Sequence, residues 1–315
     1  MVKKILVTGG CGFIGSNIVR RLVKEGYNVK VIDDLSAGNK DNIKDCLDDK
    51  MCKFRKGSIL DKALLQKEFK GIDVVIHEAA NPDVRKSKDN IYTDFDVNVL
   101  GTVNVLNTMA KEKIPKIIFA SSGGTVYGEA EIIPTPETAS FSPISHYGAS
   151  KAAAEQYLSS FSNLFAIEAI SFRFGNIFGP YSVHGVMPDF YRKLKENPKE
   201  LMILGNGKQT KSYLYVDDCV DAHIQALKTK VEGHEAFNIA TNKGLTVNEI
   251  ADNVAASMGL TDVTYKYTGG ERGWAGDVKK AVVDITKAKE ILNWEPKTAI
   301  EDGIKKYIDW IKSRD

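Results

Sequence analysis

The sequence predicts an α/β fold in which helices wrap a parallel sheet, and three observations lead to it. Short β-branched apolar runs recur through the first half of the chain, as in "KILVTG", "YNVKVIDD", "GIDVVIHEAA", "KIIFASS" and "IEAISFRFG". Stretches with helical spacing and polar faces separate most of these runs. The first run leads through "GGCGFIG" into a helix whose apolar stripe contains Ile14, Ile18 and Leu22. The expected architecture is a Rossmann-type, doubly wound parallel sheet.

The pattern changes after residue 178, where Gly and Pro punctuate "GPYSVHGVMPDF" and less regular segments follow. The sequence therefore predicts a first domain over residues 1–178 and a second, smaller α/β domain over residues 179–315 that binds the substrate. Two later segments, "YLYVDDCVDAHIQALK" and "AFNIAT", have the patterns of a helix and a strand. We expect this region, about 213–240, to return to the first domain.

Composition and charge narrow the function classes. The chain has 315 residues, of which 43% are hydrophobic and 27% charged, as in ordinary globular proteins. Its net charge of +2 argues against nucleic acid or an anionic membrane as a general partner. The four cysteines are scattered and form no Cys-x-x-Cys motif, so we expect neither a metal site nor a disulfide framework. No run of eighteen apolar residues occurs, and we expect a soluble, cytoplasmic protein.

The turn after the first strand has the spacing of a dinucleotide-binding turn. Gly10, Gly12 and Gly15 have the G-x-G-x-x-G spacing, and Gly9, Gly12 and Gly15 form a second, overlapping register. Glycines allow the backbone to approach a pyrophosphate, and the following helix offers free N–H groups and its positive end. Asp33 ends the next strand, where a carboxylate accepts hydrogen bonds from ribose hydroxyls. Because a 2′-phosphate would meet Asp33 and Asp34 with no adjacent arginine, the pattern predicts NAD rather than NADP.

The stretch "SHYGASKAAAEQYL" places Tyr147 and Lys151 four positions apart at the start of a predicted helix, so both side chains lie on one face. A phenol with a pKa near ~10 is a poor base at neutral pH, but a lysine ammonium and an oxidised nicotinamide favour the phenolate. We therefore expect these two cations to lower the pKa of Tyr147. Tyr147 would then remove a hydroxyl proton while hydride leaves the same carbon for NAD.

The catalytic hydroxyl is predicted in "FASSGGTVYG", where a strand ends. Ligands bind at the carboxyl ends of strands in open parallel sheets, so Ser122 is the expected partner of the substrate hydroxyl and of Tyr147. Thr125 is the alternative, and we expect Ser121 to satisfy local backbone groups. His77 follows an apolar strand without a ligand partner in the sequence, which favours a satisfied core histidine.

Many ordered segments resemble the extended short-chain dehydrogenase/reductase superfamily, and within it the NAD-dependent epimerases and dehydratases of nucleotide sugars. These segments are "VTGGCGFIGS", "VIDDLSAG", "VIHEAANPDVRKS", "DVNVLGT", "SSGGTVYG", "YGASK", "RFGNIFGP", "LGNGKQTKSYLYVDD" and "DITKAKEILNWEP". The resemblance implies an isomerase with tightly bound NAD, which oxidises a UDP-hexose at C4 through the Tyr147 phenolate and returns the hydride to the opposite face. UDP-glucose and UDP-galactose are the implied substrates, while N-acetylated and uronic acid forms stay open.

The resemblance also implies contact residues. NAD is expected at Gly9, Gly12, Phe13, Ile14, Gly15, Asp33, Asp34, Ser36, Gly38, Ser58, Ile59, Ala79, Ala80, Asn98, Tyr147, Lys151 and Gly175. The nucleotide sugar is expected at Ser122, Thr125, Tyr147, Asn176, Lys211 and Arg272. Ser58 stands where aspartate is frequent, and Lys211 stands where arginine is usual, so Lys211 offers a point charge rather than a bidentate fork.

Two alternatives remain from the sequence. A dehydratase or decarboxylase shares this scaffold, but dehydration needs a further acid and base, and "GGT" at 123–125 supplies no carboxylate beside the hydroxyl. A non-catalytic NAD-binding protein is the other alternative, and the presence of Tyr147, Lys151 and Ser122 argues against it.

By the same resemblance we expect a homodimer in which helices near 98–111 and 147–161 pair. Their apolar residues include Val99, Val103, Leu106, Tyr157 and Phe161.

Overall fold

A computed structural model describes residues 3–89 and 91–314. The strands are β1 Lys4–Thr8, β2 Asn28–Asp33, β3 Cys52–Lys56, β4 Val74–His77, β5 Lys116–Ser121, β6 Glu168–Phe174, β7 Asn176–Phe178, β8 Glu200–Ile203, β9 Thr210–Tyr215, β10 His234–Ile239, β11 Gly244–Thr246, β12 Thr264–Tyr267 and β13 Lys280–Ala281. The helices are α1 Phe13–Lys24, α2 Lys44–Leu47, α3 Lys62–Glu68, α4 Ile91–Asp94, α5 Gly101–Glu112, α6 His146–Phe165, α7 Val186–Glu196, α8 Val216–Lys228, α9 Val247–Met258, α10 Thr286–Leu292 and α11 Ile300–Lys312. A π-helical turn, Phe95–Leu100, joins α4 to α5, and 3-10 turns lie at Lys40–Ile43 and Lys86–Lys88.

The chain divides into two compact units. The first unit comprises Met1–Ser122, Ser145–Arg173 and Val220–Phe237. The second unit comprises Gly123–Ile144, Phe174–Cys219 and Asn238–Asp315. The functional boundary expected at residue 178 stays a prediction.

The first unit is built on a sheet with the strand order β3-β2-β1-β4-β5-β6-β10. β1 pairs in parallel with β2 and with β4, so that Ile5 lies beside both Val29 and Val74. The direction in which new strands are added reverses at β1, and such a switch point leaves a crevice at the carboxyl ends of the strands. The predicted Rossmann-type, doubly wound α/β fold is confirmed.

Apolar residues explain why these strands lie at the centre of the unit. β4 and β5 are buried along their whole length, as expected for parallel strands covered on both faces. Val75 and Ile117 of these strands belong to a core cluster that includes Leu64 of α3, Leu106 of α5 and Leu158 of α6. This packing determines where α6, the predicted catalytic helix, lies against the sheet.

Hydrogen bonds fix the start and the middle of α6. The Ser145 side chain accepts a hydrogen bond from the Gly148 N–H at 3.1 Å and caps the helix. Farther along, the buried Glu155 carboxylate forms an ion pair with Arg173 of β6 at 2.9 Å and accepts a hydrogen bond from the Ser121 hydroxyl of β5. Ser121 was expected to satisfy backbone groups, and this prediction was wrong, because the Glu155 carboxylate is its partner.

The second unit is a smaller α/β arrangement. β9 lies between β11 and β13 and also pairs with β7, while β8 pairs with β12. The helices α7, α9 and α11 contribute Phe190, Ile250 and Tyr307 to one buried cluster with Tyr213 and Tyr215 of β9. Among the described residues, no helix is both long and apolar enough to cross a membrane.

Replacing Arg173 with Met should lower the free energy of unfolding by about 3–5 kcal/mol, because Glu155 would remain as a buried carboxylate without its cation. Arg192→Met is the matched control, since Arg192 pairs with Asp189 on the surface and its side chain is 66% exposed. We expect that control to change stability by about 0–1 kcal/mol. Urea unfolding followed by circular dichroism measures both, and equal effects would contradict the role given to the Arg173–Glu155 pair.

Candidate active site

The glycine turn between β1 and α1 is shaped by two close approaches of backbone. Gly9 has φ +69°, and a Cβ there would lie 2.6 Å from the Ala79 nitrogen. A Cβ on Gly15 would lie 2.2 Å from the Gly9 carbonyl oxygen. A Cβ on Gly12 would meet only that carbonyl oxygen, at 3.2 Å. The turn therefore needs glycine for its own folding at two positions and keeps an open face at Gly12.

The helix that begins at this turn, α1, has no side-chain cap at its N-terminal end in the described part of the chain. Gly12 is its N-cap residue. Uncapped N–H groups and the positive end of the helix dipole bind phosphate well. Phe13 and Ile14 lie in this first turn, at half-buried positions.

Asp33 lies at the carboxyl end of β2 beside the glycine turn. Its side chain accepts hydrogen bonds from the Cys11 N–H at 2.9 Å and the Leu35 N–H at 2.8 Å. Each oxygen retains a further lone pair that a ribose hydroxyl can use. Burial raises the pKa of Asp33, and the bonds from Leu35 and Cys11 oppose that rise. Asp34 is exposed and accepts a hydrogen bond from the Ser36 N–H at 2.9 Å.

The other expected cofactor positions of the first unit follow the ends of neighbouring strands. A Cβ on Gly38 would lie 2.7 Å from the Cys11 carbonyl carbon, so this loop covers the glycine turn. After β3, the Ser58 hydroxyl accepts the Leu60 N–H at 3.2 Å and Ile59 is buried in the core. Ala79 and Ala80 follow β4 at half-buried positions. These residues, the uncapped α1 and Asp33 fit a dinucleotide.

Gly175 belongs to the second unit, where packing requires it to be glycine. A Cβ at this position would lie 2.8 Å from both the Ala240 Cβ and the Ser212 carbonyl oxygen. The structure therefore gives Gly175 a packing role, and its expected contact with NAD stays a prediction.

Lys151 is the most constrained residue of the predicted catalytic pair. Its side chain is buried, and Nζ donates a hydrogen bond to the Ala120 carbonyl of β5 at 2.8 Å. Nζ also lies 4.9 Å from the Phe119 ring centroid and 5.8 Å from that of Tyr147. Burial lowers the pKa of Lys151 to about 8, although the negative charges of Glu78, Glu155 and Asp94 act to raise it.

Tyr147 lies one turn earlier on the same face of α6, as the spacing predicted. Burial raises its pKa, and the negative charges of Asp94 and Glu78 raise it further. The protein's own groups thus shift the pKa of Tyr147 in the direction opposite to the one expected from Lys151. The physical reason is that burial and the two carboxylates favour the neutral phenol.

Two hydroxyls, on Ser87 and Ser150, hold the backbone of Tyr147. The Ser87 hydroxyl oxygen accepts a hydrogen bond from the Tyr147 N–H at 2.8 Å, and Ser150 Oγ donates to the Tyr147 carbonyl at 2.7 Å. Asn98, an expected cofactor residue, is buried and donates to Ser150 Oγ at 2.9 Å. Sequence analysis missed Ser87 and Ser150. The position of Ser150, three residues after Tyr147 on a helix, was the available signal for one of them.

The two candidates for the catalytic hydroxyl lie in different units. Ser122 ends the first unit, one residue after β5 and two after Ala120, the carbonyl partner of Lys151. Thr125 lies in the second unit, and its buried Oγ1 has no partner among the residues that the structure describes. A Cβ on Gly124 would lie 3.8 Å from Asn176 Oδ1, so Asn176 lies close to the Gly123–Thr125 loop.

Lys211 and Arg272 come together in the second unit around Asp277. Lys211 Nζ forms an ion pair with the Asp277 carboxylate at 2.8 Å. Arg272 donates to the Asp277 carbonyl at 3.0 Å and pairs with Glu129 at 2.8 Å. Sequence reasoning did not identify Glu129 or Asp277 as partners, because nothing in their local pattern distinguishes them from surface carboxylates.

His77 is a satisfied core histidine, as predicted. Its ring nitrogens lie 2.6 Å from Thr8 Oγ1 and 3.0 Å from Thr102 Oγ1, and burial lowers its pKa to about 3. Within residues 3–89 and 91–314, no three His, Cys, Asp or Glu side chains are arranged to hold a metal ion.

Known proteins are similar to this chain over nearly its whole length. A putative UDP-glucose 4-epimerase of Methanocaldococcus jannaschii is 40% identical over 98% of both chains. The structure of a Thermotoga maritima UDP-glucose 4-epimerase with UDP-glucose has a TM-score of 0.91, with 35% identity over 99% of both chains. A Thermus thermophilus UDP-glucose 4-epimerase in complex with NAD has a TM-score of 0.88, with 32% identity over 98% of this chain and 99% of that one.

Relatives with other names also match. A UDP-glucuronate 4-epimerase of Thermodesulfobacterium geofontis is 30% identical over 98% of this chain and 95% of that protein. A human dTDP-D-glucose 4,6-dehydratase is 31% identical over 98% of this chain and 90% of that protein. Residues 5–240 match the family described as NAD dependent epimerase/dehydratase. With its confirmed fold, the chain therefore belongs to the NAD dependent epimerase/dehydratase family of the extended short-chain dehydrogenase/reductases, whose cofactor is NAD.

Proposed function

We propose that the protein is a 4-epimerase that interconverts UDP-glucose and UDP-galactose through a transient 4-keto sugar. One observation carries the proposal: Lys151, on the same helical face as Tyr147, is bonded to Ala120, two residues before Ser122 and in the same unit as the glycine turn. We infer that a phenol, an ammonium and a hydroxyl act together at the carboxyl edge of the sheet, where open parallel sheets bind ligands.

The residues that would hold NAD are those of the first unit that fit it. The N–H groups at the start of α1 take the pyrophosphate, and Asp33 takes the ribose hydroxyls. Bound NAD supplies the acceptor and later the donor of the hydride, together with a positive charge. The exposed Asp34 repels a 2′-phosphate, which is consistent with NAD as the cofactor.

Three side chains act on the transfer of the proton of the sugar 4-hydroxyl. Tyr147 takes the proton of the 4-hydroxyl, and Ser122 hydrogen-bonds to the same oxygen and keeps it in line. Lys151 stabilises the Tyr147 phenolate by its charge. After the 4-keto sugar has presented its other face, C4 regains the hydride and Tyr147 returns the proton to the oxygen, so that the net redox change is zero.

The nucleotide is assigned to the second unit. Asn176, Lys211 and Arg272 offer an amide and two cations, which a diphosphate needs. The cations are paired with Asp277 and Glu129, so we infer that a diphosphate competes with carboxylates for them. The T. maritima relative was solved with UDP-glucose, which supports a UDP-hexose as the ligand class here.

Purified protein incubated with UDP-galactose should form UDP-glucose until the two reach equilibrium, as measured by chromatography with and without added NAD. UDP-N-acetylglucosamine and UDP-glucuronate are the comparison substrates, because they differ from the proposed substrate at C2 or C6. If either of these is converted with a kcat/KM at least tenfold above that of UDP-galactose, that sugar nucleotide is the preferred substrate. Formation of a 4-keto-6-deoxy product would contradict epimerisation.

Tyr147→Phe should lower kcat by about 10²–10⁴-fold, since it removes the group that transfers the proton. Tyr267→Phe is the matched control, because Tyr267 is 44% exposed and lies in the second unit, outside the proposed site. Ser122→Ala should reduce kcat more than Thr125→Val does. The reverse order would identify Thr125 as the catalytic hydroxyl, and NAD bound by wild-type protein without turnover of any of these sugars would favour a binding protein.

The homodimer is also a proposal, and its supporting observation is a strip of exposed apolar side chains on neighbouring helices of the first unit. The strip comprises Tyr92, Phe95 and Leu100 from α4 and the π-helical turn, with Tyr157, Leu164 and Phe165 from α6. Of the apolar residues named for the two helices that are expected to pair, Val99 and Leu106 are buried in the core. Cytoplasmic location stays a prediction.

Light scattering at micromolar concentration should give a mass near twice 34.7 kDa. Tyr92→Lys should produce monomers, because Tyr92 is 73% exposed within the strip and a buried lysine charge would be costly there. Val183→Lys, at a 64% exposed apolar residue of the second unit, should leave the mass unchanged. A wild-type monomer would contradict the proposal.

A further inference from the structure

Asp94 is a buried carboxylate that the reaction described above does not use. It is the last residue of α4, immediately before the π-helical turn, and it is 1% exposed. Its Oδ1 accepts hydrogen bonds from Asn81 Nδ2 at 2.9 Å and Asn98 Nδ2 at 3.4 Å. Its Oδ2 is buried and has no hydrogen-bond partner in the described part of the chain. A buried carboxylate oxygen without a donor is rare and unfavourable, and π-helical turns are frequent at functional sites.

A short chain of hydrogen bonds leads from Asp94 to the backbone of Tyr147. The Asn98 amide group that donates to Asp94 also donates to Ser150 Oγ at 2.9 Å. Ser150 in turn donates to the Tyr147 carbonyl at 2.7 Å. Asn98 Oδ1 accepts the Asn81 N–H at 2.8 Å, so both ends of the Asn98 amide are held. Asn98 and Ser150 thus connect the Asp94 carboxylate to the Tyr147 carbonyl.

We propose that Asp94 is a positioning residue for Tyr147. Through Asn98 and Ser150 it holds the backbone of the tyrosine, and its buried carboxylate acts on the phenol by its negative charge. The inference rests on the proposed function and names a part of the same site.

Charged groups near Tyr147 act in opposite directions. Asp94 and Glu78 favour the phenol, and Asp94 has the larger effect of the two carboxylates, whereas the Lys151 ammonium, 5.8 Å from the Tyr147 ring centroid, favours the phenolate. Glu78 is hydrogen-bonded to His223 at 3.0 Å, whereas Oδ2 of Asp94 has no such partner among the described residues. From the other segments packed against the start of α6, Lys88 and Asp96 are exposed, and so is His146 of α6 itself.

This balance suits a group that must carry a proton in both directions. A phenol made strongly acidic by nearby cations would accept the proton of a sugar hydroxyl poorly. Asp94 offsets the ammonium of Lys151 and keeps the proton affinity of Tyr147 high enough for removal and return. Asp94 thus acts on the reaction through Tyr147 and needs no contact with the sugar.

The test uses the NAD-bound protein and compares Asp94→Asn with Asp96→Asn. Asp96 is two residues away and exposed, so its variant makes the same change in net charge on the surface. The ionisation of Tyr147 is read directly, as the ultraviolet absorbance of phenolate that disappears in the matching Tyr147→Phe background. We expect Asp94→Asn to lower the pH of this ionisation by about one unit, a tenfold change in proton affinity, and Asp96→Asn to leave it nearly unchanged. The acid limb of the pH profile of kcat should shift to lower pH by the same amount.

Ser150→Ala separates the two parts of the proposal. It breaks the hydrogen-bonded chain but keeps the charge of Asp94, so kcat should fall while the ionisation of Tyr147 stays within a few tenths of a pH unit. An Asp94→Asn protein that titrates like the wild type, or that fails to fold, would overturn the proposal in favour of a purely structural carboxylate. If the titration shifts as expected but no UDP-hexose is converted, the proposed function fails and the role of Asp94 toward Tyr147 stands.

Discussion

The bond between the Lys151 ammonium and the Ala120 carbonyl is the constraint on which the candidate site depends. It joins α6 to β5 at the carboxyl edge of the sheet, so it determines where Tyr147 lies relative to Ser122. A buried ammonium needs compensating groups, and the carbonyl at 2.8 Å and the Phe119 ring at 4.9 Å supply them. The Glu155–Arg173 pair, one turn farther along α6, ties the same helix to β6. The helix that carries the candidate catalytic pair is therefore fixed to two strands by polar contacts as well as by its apolar face.

The charges around this helix bear on the proton transfer proposed for Tyr147. Glu155 is paired with Arg173, and Glu78 is hydrogen-bonded to His223. Asp94 has no donor at Oδ2 among the described residues. The field at Tyr147 thus depends on the ammonium of Lys151, which favours the phenolate, and on the carboxylates of Asp94 and Glu78, which favour the phenol. The proposed epimerisation needs such a balance, because the tyrosine would remove a proton and return it within each turnover.

Local sequence patterns were sufficient to predict the fold and the positions of these candidate site residues. The glycine turn, Asp33 at a strand end and the four-residue spacing of Tyr147 and Lys151 all depend on neighbours in sequence, and the structure places them as expected. The partners of these residues were not predictable in the same way. Ser87 lies 60 residues from Tyr147, and Asp277 lies 66 residues from Lys211, with no periodicity to connect them.

The direction of the pKa shift at Tyr147 was missed for a related reason. Spacing on a helix identifies Lys151 as a neighbour, but desolvation and the charges of Asp94 and Glu78 depend on how other segments pack against α6. The most direct test of the proposed chemistry follows the hydrogen at C4 of the sugar. UDP-galactose carrying deuterium at C4 should give UDP-glucose that retains the deuterium at C4 in ordinary water. Loss of the label to solvent, or its appearance at C6, would contradict transient oxidation at C4 with return of the hydride to the same carbon.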